Sequence, residues 1–290
     1  MRIAELLSRK TPFLSLEFFP PKDRAEWPAF FATVERLTAL NPLFASVTYG
    51  AGGSTQGDTV EIVSRLSQDY SLETMAHLTC IGADAATLTT FLDQLVQAGV
   101  HNVLALRGDL PADASPEVFA SLPLQNASDL VTFIRTSHPE IGVGVAGYPE
   151  THPEATSPDG DLAYLKLKID QGGDFIVTQL FFDNQHYFDF VRKARALGIE
   201  KPIIPGILPV VSLKVIQRIV SLCGAAIPPA FLQALEAADQ QGGAAAVLEV
   251  GVAYARKQAQ ELLSAGAPGV HLYTLNRADA VLPLAQGLLP

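Results

Sequence analysis

Eight short apolar runs recur along this chain, each followed by a polar turn and a stretch of helical period, and that alternation leaves few folds open. The predicted strands are Phe13–Phe19, Leu43–Tyr49, Glu73–Cys80, Asn102–Arg107, Gly142–Gly147, Asp174–Leu180, Pro202–Leu208 and Gly269–Leu275. Helical patterns fill the gaps at Trp27–Leu40, Thr59–Tyr70, Ala85–Ala98, Ser128–Ser137, Leu162–Gln171 and Tyr187–Leu197, with Gly99, Gly172 and Gly198 placed to close three of them. Runs such as LFASV, NVLAL and FIVTQLFF are apolar on both faces, as strands covered on both sides require. Eight β–α repeats with no linker between them predict one closed parallel (β/α)8 TIM barrel over residues 1–290. The stretch from Ser212 to Ala267 is too long for one helix, so two or three extra helices are expected between strands 7 and 8.

Composition narrows the partners. The 290 residues are 48% hydrophobic and 17% charged, with 30 acidic and 20 basic side chains and a formal net charge of −10. Such a surface repels nucleic acid and anionic membranes, and no Lys/Arg-rich run offsets it. An anionic ligand must then be held by a few local donors and helix N-termini. The two cysteines, Cys80 and Cys223, lie far apart without metal spacing and read as reduced core thiols. The N-terminal residues lack the apolar segment of a signal peptide, and the charge-free stretch Ile219–Leu235 is broken by Gly224, Pro228 and Pro229. A soluble, cytoplasmic protein is expected, with a homo-oligomer left open.

In barrels of this class the active site lies at the C-terminal ends of the strands. Those ends carry Glu17, Thr48–Tyr49, His77, Arg107-Gly108-Asp109, Tyr148 with His152, Gln179, and Asn276–Arg277. So many polar ends suit an enzyme with a large polar ligand. Glu17 sits among Leu16, Phe18, Phe19, Pro20 and Pro21; an apolar wall there would raise its pKa and make it a general acid. The alternative is an alternating strand whose glutamate faces solvent. Arg107 can fork onto a phosphate, Gly108 can let backbone approach a flat ligand, and Asp109 can accept from a heterocycle; an internal Arg107–Asp109 pair is the alternative. Asp161, Tyr164 and Lys168 fall on one helix face, where a carboxylate and an ammonium suit a dinucleotide, although charges at this spacing usually mark a solvated face.

Other patterns fail their context. Gly142, Gly144 and Gly147 spell G-x-G-x-x-G, but they sit inside a strand and no helix opens after them. Gly50–Gly57 has no lysine for a phosphate loop. His77 with Cys80, and His152 with Glu154, form no recognised ligand set, so no metal is expected.

At the same strand ends the chain resembles the methylenetetrahydrofolate reductase family. The strings that carry the likeness are SLEFFPPK (15–22), FASVTYGAGGST (44–55), HLTCIG (77–82), NVLALRGD (102–109), GYPETHPEA (147–155), DFIVTQLFFD (174–183), IIPGILPV (203–210) and LYTLNRA (272–278). The resemblance implies FAD held by Thr48, Tyr49, His77, Arg107, Gly108, Asp109, Ala127, Tyr148, His152, Ala155, Asp161, Tyr164 and Lys168. It implies Glu17 as the acid, and Asp109 as a carboxylate near the flavin that also touches folate. Gln179 would serve folate and nicotinamide in turn, and Arg277 would contact folate.

The implied reaction is ping-pong: NAD(P)H gives hydride to flavin N5, then methylenetetrahydrofolate binds over the same face and is reduced to methyltetrahydrofolate after Glu17 promotes ring opening. Some positions depart from the family pattern. Tyr164 and Leu167 stand where a bacterial relative has polar or basic residues, and Val215 and Ile219 stand where a glutamine and a phenylalanine are expected. The segment 112–128 is insertion-like beside Ala127, and a chain ending at Pro290 would lack the regulatory C-terminal domain of eukaryotic relatives. A flavin-free pterin- or folate-binding barrel, such as a folate-dependent methyltransferase, shares the fold and ligand and is the alternative reading.

Overall fold

A computed structural model describes residues 1–48, 56–109 and 122–289. The barrel strands are β1 (Phe13–Phe18), β2 (Phe44–Val47), β3 (Thr74–Thr79), β4 (Asn102–Leu106), β5 (Gly142–Gly147), β6 (Phe175–Thr178), β7 (Ile203–Ile204), β8 (Gly206–Ile207) and β9 (Gly269–Tyr273). All ladders are parallel, in the order β7-β6-β5-β4-β3-β2-β1-β9-β8. The seventh run, expected as one strand, is split at Pro205, which has no N–H to give. Its first half pairs with β6 and its second with β9, so the ring closes through the break. The nine parallel pieces therefore form a nearly closed, single-domain TIM-barrel-like fold.

The helices around it are α1 (Ile3–Leu7), α2 (Trp27–Thr38), α3 (Gln56–Tyr70), α4 (Ala85–Gln97), α5 (Ala127–Ser137), α6 (Pro158–Asp170), α7 (Asn184–Ala196), α8 (Leu213–Cys223), α9 (Pro229–Ser264) and α10 (Ala278–Ala285). Local chemistry sets their ends. Ser157 caps α6 by accepting from Gly160 N–H, and Pro158 follows at the first turn, so this helix begins four residues before the apolar period does. Gly99, Gly172 and Gly198 take the positive φ that follows a helix. The expected extra helices are α8 and α9, the latter broken at Gly243. No helix among the described residues is long and apolar enough to cross a membrane.

The short helix α1, which the sequence pattern missed, closes the N-terminal mouth. Asn102 holds it there, accepting from Ile3 N–H (2.7 Å) and donating to the Met1 carbonyl (3.0 Å). Ile3, Leu7, Phe13, Phe44, Met75, Leu104 and Phe175 fill the barrel floor behind it. Between the sheet and the surrounding helices lies the larger apolar layer. With the floor sealed, the opposite mouth is the open end.

The glycines of the apparent nucleotide motif are packing residues. A Cβ on Gly144 would lie 2.8 Å from the Phe175 ring and 3.1 Å from Leu104, and one on Gly147 would meet Phe190 and Ile176. Gly144→Ala should therefore lower stability by about 1–3 kcal/mol through overpacking. Urea denaturation measures it; an unchanged midpoint would show that the floor can relax around the methyl group.

Candidate active site

Two adjoining cavities open at the C-terminal ends of the strands. The larger, about 520 Å³, is lined by Glu17, Thr48, His77, Asp109, Gln179 and Tyr273, among others. The smaller, about 360 Å³, is lined by Ala127, Ala155, Asp161, Tyr164 and Lys168. Arg107, Tyr148 and His152 line both. Tyr49 lies outside the described residues. Gly108 and Arg277 line neither cavity. Arg277 pairs instead with Asp279 (2.6 Å). Gly108 has φ +87° and a built Cβ would sit 2.9 Å from Thr79 Cβ, so backbone conformation and close packing on Thr79 both favour glycine there.

Glu17 lies on β1, opposite Ser46 of β2 and Tyr273 of β9. It is only 5% exposed, so the solvent-facing alternative does not hold. The apolar wall expected around it does not hold either. His77 Nε2 lies 3.2 Å from Glu17 Oε2, with His271 Nε2 and Ser46 Oγ each at 3.4 Å. The His77 contact is an ion-pair distance without hydrogen-bond alignment, which leaves that nitrogen buried and without a hydrogen-bond partner. His271 is fixed from behind by Ser15 Oγ at 2.8 Å from Nδ1 and by stacking on Phe44.

This cluster reverses the expected pKa shift. Burial pushes the Glu17 carboxyl up, but the charge of His77 and the hydrogen bond from His271 outweigh it and bring it down to about 2. Glu17 is thus a carboxylate held between imidazoles. His271, Ser15, Ser46 and Tyr273 were missed by reading only the last residue of each strand. The signal was the period-two spacing of Ser15 with Glu17 and of His271 with Tyr273, which puts each pair on one face.

Tyr273 donates its hydroxyl to the Thr178 carbonyl (2.6 Å), and burial raises it well above its ordinary pKa, so it remains a phenol. Gln179 Oε1 accepts from Leu180 N–H (2.8 Å), which orients the amide in the larger cavity. Ile219 also lines that cavity, whereas Val215 is part of the exposed surface of α8.

The wall common to both cavities carries an ion pair that neither sequence reading named. Arg107 forks onto Glu154, with Nη1 at 2.5 Å from Oε2 and Nη2 at 3.0 Å from Oε1. Tyr148 and His152 meet edge to face at 4.6 Å. On α6, Asp161 accepts from His152 N–H (3.0 Å), Tyr164 exchanges a hydrogen bond with Ser128 (2.9 Å), and Lys168 donates to the Ala146 carbonyl (2.6 Å). Lys168 is buried and has no ion pair among the described residues; desolvation brings it down to about 8 although Asp161 pulls the other way. At these three positions the helix face is a cavity wall, not the solvated face of the alternative reading.

A sequence model described as methylenetetrahydrofolate reductase matches residues 2–288. The chain is 36% identical over 267 residues to the 5,10-methylenetetrahydrofolate reductase of Escherichia coli (strain K12), covering 92% of this chain and 87% of that protein. It is 40% identical over 284 residues to methylenetetrahydrofolate reductase (NADH) 1 of Arabidopsis thaliana, covering 94% of this chain and 48% of that protein. The chain thus spans about half the length of this and other eukaryotic relatives it matches. Among solved structures, an uncharacterized Clostridium thermocellum protein that binds two copies of 5-methyl-5,6,7,8-tetrahydrofolic acid has the same fold, with a TM-score of 0.65, 14% identity and 98% of each chain covered.

The Glu17 cluster has a measurable signature in stability. Its folded pKa lies below the ordinary 4.5, so the stability it contributes is fully present above that value and is lost as pH falls toward about 2. Between about pH 5 and pH 2 the protein should lose roughly a few kcal/mol more than its Glu17→Gln variant. Parallel denaturant titrations across that range measure the difference; identical losses would mean that the imidazoles do not hold the carboxylate.

Proposed function

The chain belongs to the methylenetetrahydrofolate reductase family, and from that premise we propose that it reduces 5,10-methylenetetrahydrofolate to 5-methyltetrahydrofolate, with NAD(P)H as reductant and FAD as carrier. One observation carries the reading. Two cavities share a wall, one holding a buried unpaired ammonium and the other a buried carboxylate between imidazoles. A dinucleotide and a proton-requiring substrate are the ligands that such a pair accommodates.

The residues present fit the flavin cofactor. Lys168 is a buried cation with no ion pair among the described residues, a partner that a pyrophosphate would supply. Asp161 and Tyr164 stand on the same face of α6, while Ala127 and Ala155 keep the smaller cavity open. Thr48, His77, Arg107, Asp109, Tyr148 and His152 would hold the remainder, with Gly108 shaping the Arg107–Asp109 turn. Bound there, FAD would accept two electrons from the nicotinamide and return them to the folate.

The chain supplies position and protons. Ring opening of the folate needs a proton, and a carboxylate with a pKa near 2 does not store one at neutral pH. Glu17 Oε2, with His77 and His271 against it, would therefore relay a proton to the folate rather than store one. Gln179, oriented by Leu180, serves the nicotinamide and the folate in turn. Asp109 places a carboxylate in the lining of the larger cavity, where it would disfavour a build-up of negative charge on a bound cofactor. Arg277 reaches the folate only after leaving Asp279.

The purified protein should be yellow and should bleach with reduced nicotinamide. Absence of flavin absorbance together with no FAD binding by the apoprotein would overturn the reading. In stopped flow, Glu17→Gln should leave flavin reduction nearly intact and slow reoxidation by methylenetetrahydrofolate about 10²–10⁴-fold. Equal slowing of both phases would instead assign Glu17 to the shape of the pocket.

A second measurement uses Lys168. An anion beside the ammonium raises its pKa from about 8, so FAD binding should take up protons at and above that pH. Calorimetry in buffers of different ionisation enthalpy reads the uptake. Proton-neutral binding at that pH would place the pyrophosphate elsewhere.

A further inference from the structure

Immediately after β9 the backbone makes a turn that residues with a side chain rarely adopt. Leu275 (φ 47°) and Asn276 (φ 55°) are both left-handed, and such a turn persists only where its surroundings fix it. What fixes it is the segment that carries Glu17. Thr274 donates its hydroxyl to the Glu17 carbonyl (2.6 Å) and accepts from Asn276 N–H (3.0 Å). The Asn276 carboxamide then takes both backbone groups of Phe19, accepting from its N–H (3.1 Å) and donating to its carbonyl (2.7 Å).

The position of this clamp gives it a use. β1 ends at Phe18, and the two residues after Phe19, Pro20 and Pro21, have no N–H with which to tie the chain down. Asn276 is therefore a tether that fixes the course of the chain at Phe19, two residues beyond Glu17. The Phe19 side chain is 38% exposed and lines the larger cavity beside Glu17.

We propose that Asn276 is a positioning residue for the folate step, holding the backbone of Phe19 so that the Phe19 ring and the Glu17 carboxylate keep their places against the bound folate. The proposal rests on the functional reading above. It concerns the folate half of the cycle, since only that half draws on the proton relayed by Glu17, whose carbonyl the clamp holds together with the backbone of Phe19.

Two variants of the holoenzyme test it. Asn276→Gly tolerates the left-handed backbone and loses the clamp, so its effect is free of added strain. The Phe19 amide should exchange with solvent at least about tenfold faster, flavin reduction should stay within about twofold, and reoxidation by methylenetetrahydrofolate should slow about 10- to 100-fold, the scale of a small misplacement of reacting groups. Asn276→Asp keeps the acceptor but loses the donor while ionised. Its reoxidation rate relative to the unmodified enzyme should rise as pH falls and a protonated carboxyl restores the bond to the Phe19 carbonyl. A merely structural role would give neither the split between phases nor this pH dependence.

Unaltered exchange at Phe19 in Asn276→Gly, equal slowing of both phases, or a pH-independent ratio for Asn276→Asp would overturn the proposal. Should the unmodified protein show no flavin-linked turnover, the functional reading fails, and the clamp is judged by Phe19 exchange and by calorimetric folate affinity. Loss of protection with weakened folate binding would then support it. Unchanged affinity, or no folate binding by the unmodified protein, would overturn it.

Discussion

The site exists because the first strand pairs with the last. Phe13 through Glu17 run beside Gly269 through Tyr273, joining segments more than 250 residues apart in sequence. The pairing demands glycine at its start, since a Cβ on Gly269 would fall 2.4 Å from the Phe13 carbonyl oxygen. It sets Ser15 opposite His271 and Glu17 opposite Tyr273, and from this register the imidazole between Ser15 and Glu17 follows directly. A shift of one residue would turn Glu17 toward the apolar layer under the helices and leave His271 without either partner.

Around that seam the mouth divides its charges. The carboxylate and imidazoles sit in the larger cavity, the buried ammonium in the smaller, and the Arg107–Glu154 pair stands in the wall between them. Each is stabilised locally, and the net charge of −10 has little reach into such enclosed sites. A chain with an acidic surface can in this way hold an anion through one desolvated lysine and a clamped arginine.

Most of the fold was legible in the sequence because a barrel strand and its helix leave distinct periods. Gly142–Gly147 was placed to the residue, and most other strand boundaries moved by one or two. What escaped had physical causes. Helix starts at Ser157–Pro158 and Asp183 depend on capping, which apolar periodicity does not record. The break at Pro205 was hidden by an otherwise continuous apolar run. Strand ends pointed to Glu17, His77 and Gln179 because polar side chains are costly inside a barrel, yet they could not tell which histidine would meet Glu17. That depends on register between distant strands, and so the environment of Glu17 was read with the wrong sign. Arg107 was visible as a phosphate-type residue, while its partner Glu154 lay 47 positions away.

The divided seventh run makes the ring uneven. β7 meets β6 over two residue pairs and β8 meets β9 over two, whereas β1 meets β9 over five. A closed ladder parts where its rungs are fewest, so the cheapest local opening of the barrel lies at Pro205. The helix that follows, α8, brings Ile219, Leu222 and Cys223 to the larger cavity. That part of the cavity wall thus follows the joint with the fewest paired residues. Widening at that joint would leave untouched the β1–β9 seam that places Glu17.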